Sequence, residues 1–127
     1  MTRSLVTGAT GYVGGRLVPE LLAAGHDVRV MVRDPRKAQA RDWAADVEIV
    51  QGDASRPDDV RRALQGADVL FYLLHSIGVG DDFVATERAM AQTFADEAEA
   101  AGVQRIVYLG GMDPEGEVLS EHLRSRH

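Results

Sequence analysis

Five short runs of apolar, mostly β-branched residues punctuate the chain at Arg3–Thr7, Val28–Val32, Val47–Gln51, Val69–Leu74 and Arg105–Leu109. Their apolar positions run nearly without interruption instead of alternating, the pattern of strands covered on both faces. Between them the period changes to that of helices. The segment Tyr12–Ala24 sets Val13, Leu17, Leu21 and Leu22 on one stripe and stops at Gly25, a residue suited to a left-handed terminator. Pro19 falls inside this segment and removes the bond to the Gly15 carbonyl; because the apolar spacing resumes beyond it, a bend is predicted and not a break. Asp34-Pro35 and Ser55-Arg56-Pro57-Asp58 each read as an N-cap with proline in the first turn of a short helix. The longest helical segment, Asp82–Ala101, can bring Phe83, Met90, Phe94 and Ala98 to one face, and Gly102 ends it.

Strands alternating with helices give βαβ units, whose crossovers are right-handed. The expected architecture is therefore α/β: an open parallel sheet of five strands in the order 3-2-1-4-5 with helices on both faces. No repeat, low-complexity tract or linker divides the chain, so residues 1–127 read as one domain. A formal net charge of −6 opposes attraction to nucleic acid or to anionic lipid. The longest apolar run, Val69–Leu74, is far too short to span a bilayer, and the N-terminus shows no secretory pattern, so the expected address is the cytoplasm. The chain has no cysteine, which excludes disulfides, thiolate catalysis and cysteine-based zinc sites. The histidines, His26, His75, His122 and His127, lack metal-ligand spacing, so no metal is expected.

One stretch carries chemistry. Thr7-Gly8-Ala9-Thr10-Gly11-Tyr12-Val13-Gly14 stands where the first strand hands over to the first helix, with glycines three apart. The three glycines meet different steric demands, with a tight turn at Gly8, backbone approach to a pyrophosphate at Gly11 and close helix-to-strand packing at Gly14. The helix start then offers unpaired N–H groups and a positive dipole end to phosphates. A Gly-rich turn without a ligand explains the same letters less fully. The context is that of a Rossmann dinucleotide site.

With Gly-x-x-Gly-x-x-Gly spacing, Val32-Arg33-Asp34 after the second strand, Gly52-Asp53-Ala54 after the third and Leu73-Leu74-His75-Ser76 after the fourth, the chain resembles the short-chain dehydrogenase/reductase superfamily, specifically its atypical, NmrA-like branch. The resemblance implies NAD(P) as cofactor, held by Gly8, Thr10, Gly11, Tyr12, Val13, Gly14, Arg33, Asp53, Ala54, Leu74 and His75. Relatives that prefer NAD carry an acid at the position that falls here on Val32. Arg33 follows instead, with Arg36 and Lys37 beyond, and a guanidinium can hold a 2′-phosphate that a carboxylate would repel, so NADP is expected over NAD. Arg36 and Lys37 also fit a solvated helix surface. Asp34, placed before Pro35, reads as an N-cap and not as the missing acid. By the resemblance, Asp53 accepts a hydrogen bond from the adenine amino group with the Ala54 backbone alongside; a turn carboxylate is the plainer account. His75 follows the fourth strand at the topological switch, where it could face the nicotinamide ribose or substrate, or simply make a structural hydrogen bond.

Active members of the superfamily use Tyr-x-x-x-Lys, the lysine lowering the tyrosine pKa for proton exchange with substrate. Four residues beyond Tyr12, Tyr72 and Tyr108 stand Arg16, Ser76 and Met112, and the one lysine is Lys37. Where that helix would begin the chain reads His122-Leu123-Arg124-Ser125-Arg126, so His122 and Arg126, together with His75, are the catalytic candidates; a surface-exposed, basic helix start explains His122 and Arg126 without chemistry. Full members continue further, and the chain reads as truncated, without the substrate-binding part. The resemblance thus leaves two functions: the NADP(H)-binding domain of an oxidoreductase acting on an unassigned small molecule, or a non-catalytic NADP(H) sensor acting through a protein partner. It also implies a possible homodimer through the fourth helix.

Overall fold

The computed structural model describes residues 2–9, 11–73 and 81–108; for Tyr12, residues 81–84 and Glu87 it describes the backbone alone. Within these stretches the elements are β1 (Arg3–Thr7), α1 (Tyr12–Ala23), β2 (Asp27–Val32), α2 (Pro35–Gln39), a single 3-10 turn (Ala44–Asp46), β3 (Glu48–Gln51), α3 (Pro57–Leu64), β4 (Val69–Tyr72), α4 (Asp81–Ala101) and β5 (Arg105–Tyr108). The strands form one sheet in the order β3-β2-β1-β4-β5, and every pairing is parallel. This is the doubly wound arrangement that the apolar runs imply.

Strand side chains alternate between two cores. Leu5, Leu70 and Tyr72 point to the face covered by Val60, Ala63 and Leu64 of α3 and by Phe94 and Ala98 of α4. Val6, Val28 and Val30 point to the other face, under Val18 and Leu21 of α1, Ala38 of α2 and Trp43. Tyr72 sits between Phe94, with ring centroids 5.0 Å apart, and Tyr108, stacked at 5.3 Å. The central strands are nearly fully covered, whereas β3 and β5 at the edges are half-exposed.

Among the described residues of these strands one charged residue, Arg29, is buried. The Arg29 side chain, 10% exposed, donates from Nη1 to the carbonyls of Ala63 and Gln65, each at 2.7 Å, and from Nε to Glu48 at 2.9 Å. Its guanidinium supplies donors to the end of α3, where helix carbonyls lack intrahelical partners.

The structure corrects several details of the sequence reading. Val13 does not join the core stripe of α1; it is 43% exposed, and Val18, fully buried, takes the central place. The cause is Gly14, which turns its Cα against the β1–α1 corner and leaves Val13 facing outward. Pro19, exposed, does not break α1, as expected. Asp34 caps α2 as expected, accepting from the Arg36 N–H at 3.1 Å. Ser55 does not cap α3; the cap position belongs to Arg56, and Ser55 turns back to bond Asp53. Strand β4 ends at Tyr72, two residues early, because the Leu73 N–H bonds the Thr7 hydroxyl and so leaves the ladder.

Candidate functional site

The C-terminal ends of the strands gather one set of residues. Thr7, the last of β1, donates its hydroxyl to the Phe71 carbonyl at 3.2 Å and accepts from the Leu73 N–H at 3.3 Å, which ties β1 to β4 across the topological switch. Ligands of open α/β sheets bind in the crevice outside this point.

After Thr7 the chain reverses through Gly8, whose φ of 76° suits glycine. The Gly11 N–H closes the turn on the Gly8 carbonyl at 3.0 Å, and Gly15 N–H to Gly11 carbonyl, at 2.8 Å, begins the helix. Gly14 packs so tightly that a Cβ there would lie 2.2 Å from the Gly8 oxygen and 2.7 Å from the Ala9 Cα. Backbone thus approaches backbone at the start of α1, where the first N–H groups of a helix lack intrahelical partners. Helix α1 has no side-chain cap and no acidic residue in its first turn, so no carboxylate there offsets its positive end.

Beside this corner opens a cleft of about 500 Å³ lined by Thr7–Ala9, by Met31–Asp34 and Lys37, by Gly52–Ser55, and by Thr86 and Met90 of α4. Gly8, Arg33, Asp53 and Ala54 therefore share one cavity, with Gly11, Val13 and Gly14 at the adjoining helix start. Val32 is buried to 7% exposure and presents no carboxylate at the end of β2. Arg33 and Lys37 line the cleft, and among the described residues neither enters an ion pair.

The two carboxylates of the cleft are differently engaged. Asp53 Oδ1 accepts from the Ser55 N–H at 2.9 Å and the Ser55 hydroxyl at 2.7 Å. These bonds, aided by the charges of Arg33 and Arg56, hold the Asp53 carboxyl below its ordinary pKa, so it is an anion at neutral pH. Its own N–H is fixed by Asp59, at 2.9 Å, and Asp59 is in turn held by Arg62. Asp34 takes the Arg36 backbone N–H and Nε on Oδ1 and Nη2 on Oδ2, which lowers its pKa as well.

Thr10, Leu74, His75, His122 and Arg126 lie outside the described residues, and Tyr12 contributes its backbone alone. Sequence reasoning missed Met31, Ser55, Thr86 and Met90 as cleft residues. Thr86 and Met90 were legible: with Phe94 and Ala98 they recur every four residues along α4, and the N-terminal half of that stripe overhangs the cleft and not the core. Among the described residues no three His, Asp or Glu side chains gather where a metal ion could be held, and no helix is long and apolar enough to cross a membrane.

The cleft, the glycine corner and the parallel sheet define a nucleotide-binding α/β domain. Residues 8–126 match the NAD(P)H-binding family, and the chain belongs to that family. It is 33% identical to sterol demethylase protein B of Methylococcus capsulatus, over 94% of this chain and 38% of that protein. It is 34% identical to a 3-beta-hydroxysteroid dehydrogenase of Mycolicibacterium neoaurum, over 87% and 34%. The chain thus spans little more than a third of these curated relatives. Among solved structures, a short-chain dehydrogenase/reductase superfamily protein from Agrobacterium tumefaciens with bound NAD superposes with a TM-score of 0.70 at 26% identity, over 84% of this chain and 31% of that one. The domain is an atypical short-chain dehydrogenase/reductase-like Rossmann domain, and its cofactor is a nicotinamide dinucleotide. The residues present fit such a group: the start of α1 carries no side-chain cap and no acidic residue, and the cations Arg33 and Lys37 line the adjoining cleft.

Proposed function

We propose that this domain binds NADP(H) in preference to NAD(H) and serves an oxidoreductase that uses it as hydride carrier. The observation that carries the preference is the charge at the end of β2. Arg33 and Lys37 line the cleft outside any ion pair among the described residues, Val32 replaces an acid, and the neighbouring Asp34 is bound by Arg36. A 2′-phosphate meets cations there, whereas plain ribose hydroxyls find no free carboxylate at the end of β2 to accept their hydrogen bonds.

In this reading the backbone of Gly8 and Gly11–Gly14 cradles the diphosphate, Arg33 faces the 2′-phosphate, and Asp53 with the Ala54 backbone receives the adenine edge. Thr10, Leu74 and His75 join from their places in the sequence, His75 toward the nicotinamide ribose. The dehydrogenase and reductase names of the relatives support the oxidoreductase role.

Titration of the 127-residue chain with NADPH and NADH, followed by nicotinamide fluorescence, tests the proposal. NADPH is expected to bind about tenfold tighter, and Arg33→Ala to remove that advantage while sparing NADH, as befits one charge-assisted contact. Equal affinities in the wild-type chain would contradict the preference.

A further inference from the structure

Helix α2 opens with two residues of opposite charge, and their geometry bears on coenzyme choice. Asp34 lines the cleft between Arg33 and Lys37, close to where β2 ends. A carboxylate at that rim is chemically suited to accept hydrogen bonds from vicinal ribose hydroxyls and to repel a phosphate dianion. Left alone, it would pull the cleft toward NAD(H).

It is not left alone. Arg36 places three donors on it: the backbone N–H at 3.1 Å and Nε at 3.2 Å on Oδ1, and Nη2 at 3.3 Å on Oδ2. Both oxygens of Asp34 are therefore engaged by one residue, and its charge is matched by a guanidinium that is itself 86% exposed. Arg36 is absent from the cleft lining, so it reaches Asp34 from the solvent side.

We propose that Arg36 is a specificity-determining residue that acts without touching the coenzyme, by masking the Asp34 carboxylate. This rests on the reading that the cleft holds the adenosine half of a nicotinamide dinucleotide. It adds that the preference has two sources: the cations that face the 2′-phosphate, and a neighbouring acid kept from competing. Arg36 is thus a positioning residue for Asp34, distinct in role from Arg33.

The test is a double-mutant cycle read as the dissociation constants of NADPH and NADH. Arg36→Ala exposes the carboxylate, so NADPH binding weakens and NADH binding tightens, and the ratio of the two constants shifts toward NADH by about fivefold, the scale of a partly exposed ion pair. A residue that merely stabilised α2 would weaken both coenzymes together. Asp34→Asn keeps the helix cap, since asparagine caps as well as aspartate. Alone it leaves the ratio near the wild-type value; combined with Arg36→Ala it restores the NADPH preference. Arg33→Ala, measured in parallel, separates the two claims. If Arg33→Ala abolishes the preference but Arg36→Ala leaves the ratio unchanged, or weakens both coenzymes alike, the masking role is overturned and the cleft reading stands. If the wild-type chain, folded by circular dichroism, binds neither coenzyme, both are overturned.

Discussion

Replacing Gly14 by alanine adds a single methyl group, and the structure makes its cost calculable. The new Cβ would stand 2.2 Å from the Gly8 carbonyl oxygen, 2.7 Å from the Ala9 Cα and 2.9 Å from the Gly8 carbonyl carbon. Carbon and oxygen approach to roughly 3.3 Å in close non-bonded contacts, so α1 must retreat from the turn by about 1 Å. All three neighbours are main-chain atoms, which cannot swing aside. Overpacking of this kind costs about 1–3 kcal/mol, only part of which is offset by the better helix propensity of alanine, about 1 kcal/mol. Binding should suffer more. A shift of about 1 Å takes N–H donors out of hydrogen-bond range of a phosphate, and two charge-assisted bonds at about 1.5 kcal/mol each are worth about a hundredfold in affinity. Gly15→Ala is the control, since its Cβ would meet most closely the Arg41 Nη1 at 3.1 Å, the movable end of a long side chain. Urea denaturation and NADPH titration of both variants decide the matter. Gly14→Ala should unfold at lower urea and bind at least about fiftyfold more weakly, and Gly15→Ala should do neither. A Gly14→Ala variant that binds NADPH as well as wild type would refute the role of that corner.

Two further outcomes follow from the same contacts. Arg29→Ala should lower stability by about 3 kcal/mol in urea denaturation, because the Ala63 and Gln65 carbonyls lose their shared donor; a loss below about 1 kcal/mol would show that water replaces the guanidinium. The Asp53 carboxyl is depressed chiefly by Ser55, so its bonds are present above the ordinary carboxylate pKa and are lost as pH falls through the lowered value. Ser55→Ala should therefore raise the Asp53 pKa in an NMR titration, and an unmoved titration would contradict that assignment.

Much of this architecture was legible in the chain itself. The nearly unbroken apolar runs identify strands covered on both sides, their alternation with helical periods implies a parallel sheet, and the expected order 3-2-1-4-5 is the one observed. The glycine spacing likewise marks a tight strand-to-helix corner, since the steric demands behind it are on display at Gly8 and Gly14. What escaped was contextual. Val13 looks like a core residue by periodicity, but the close approach of Gly14 turns it outward. Ser55 looks like a cap, yet the Asp53 carboxylate competes successfully for its hydroxyl and N–H. The engagement of Asp34 by Arg36 is a matter of side-chain rotamers two residues apart, which a string of letters does not fix.

Coenzyme binding as described here requires that the corner after β1 and the end of β2 together hold an adenosine carrying two phosphates. Adenosine 2′,5′-bisphosphate carries both of those phosphates without the nicotinamide half, so it can be set against 5′-AMP in calorimetric titrations of the 127-residue chain. The bisphosphate should bind about tenfold tighter than 5′-AMP, with the difference shrinking as salt is raised. Equal heats and affinities for the two nucleotides, or no heat from either, would contradict that requirement.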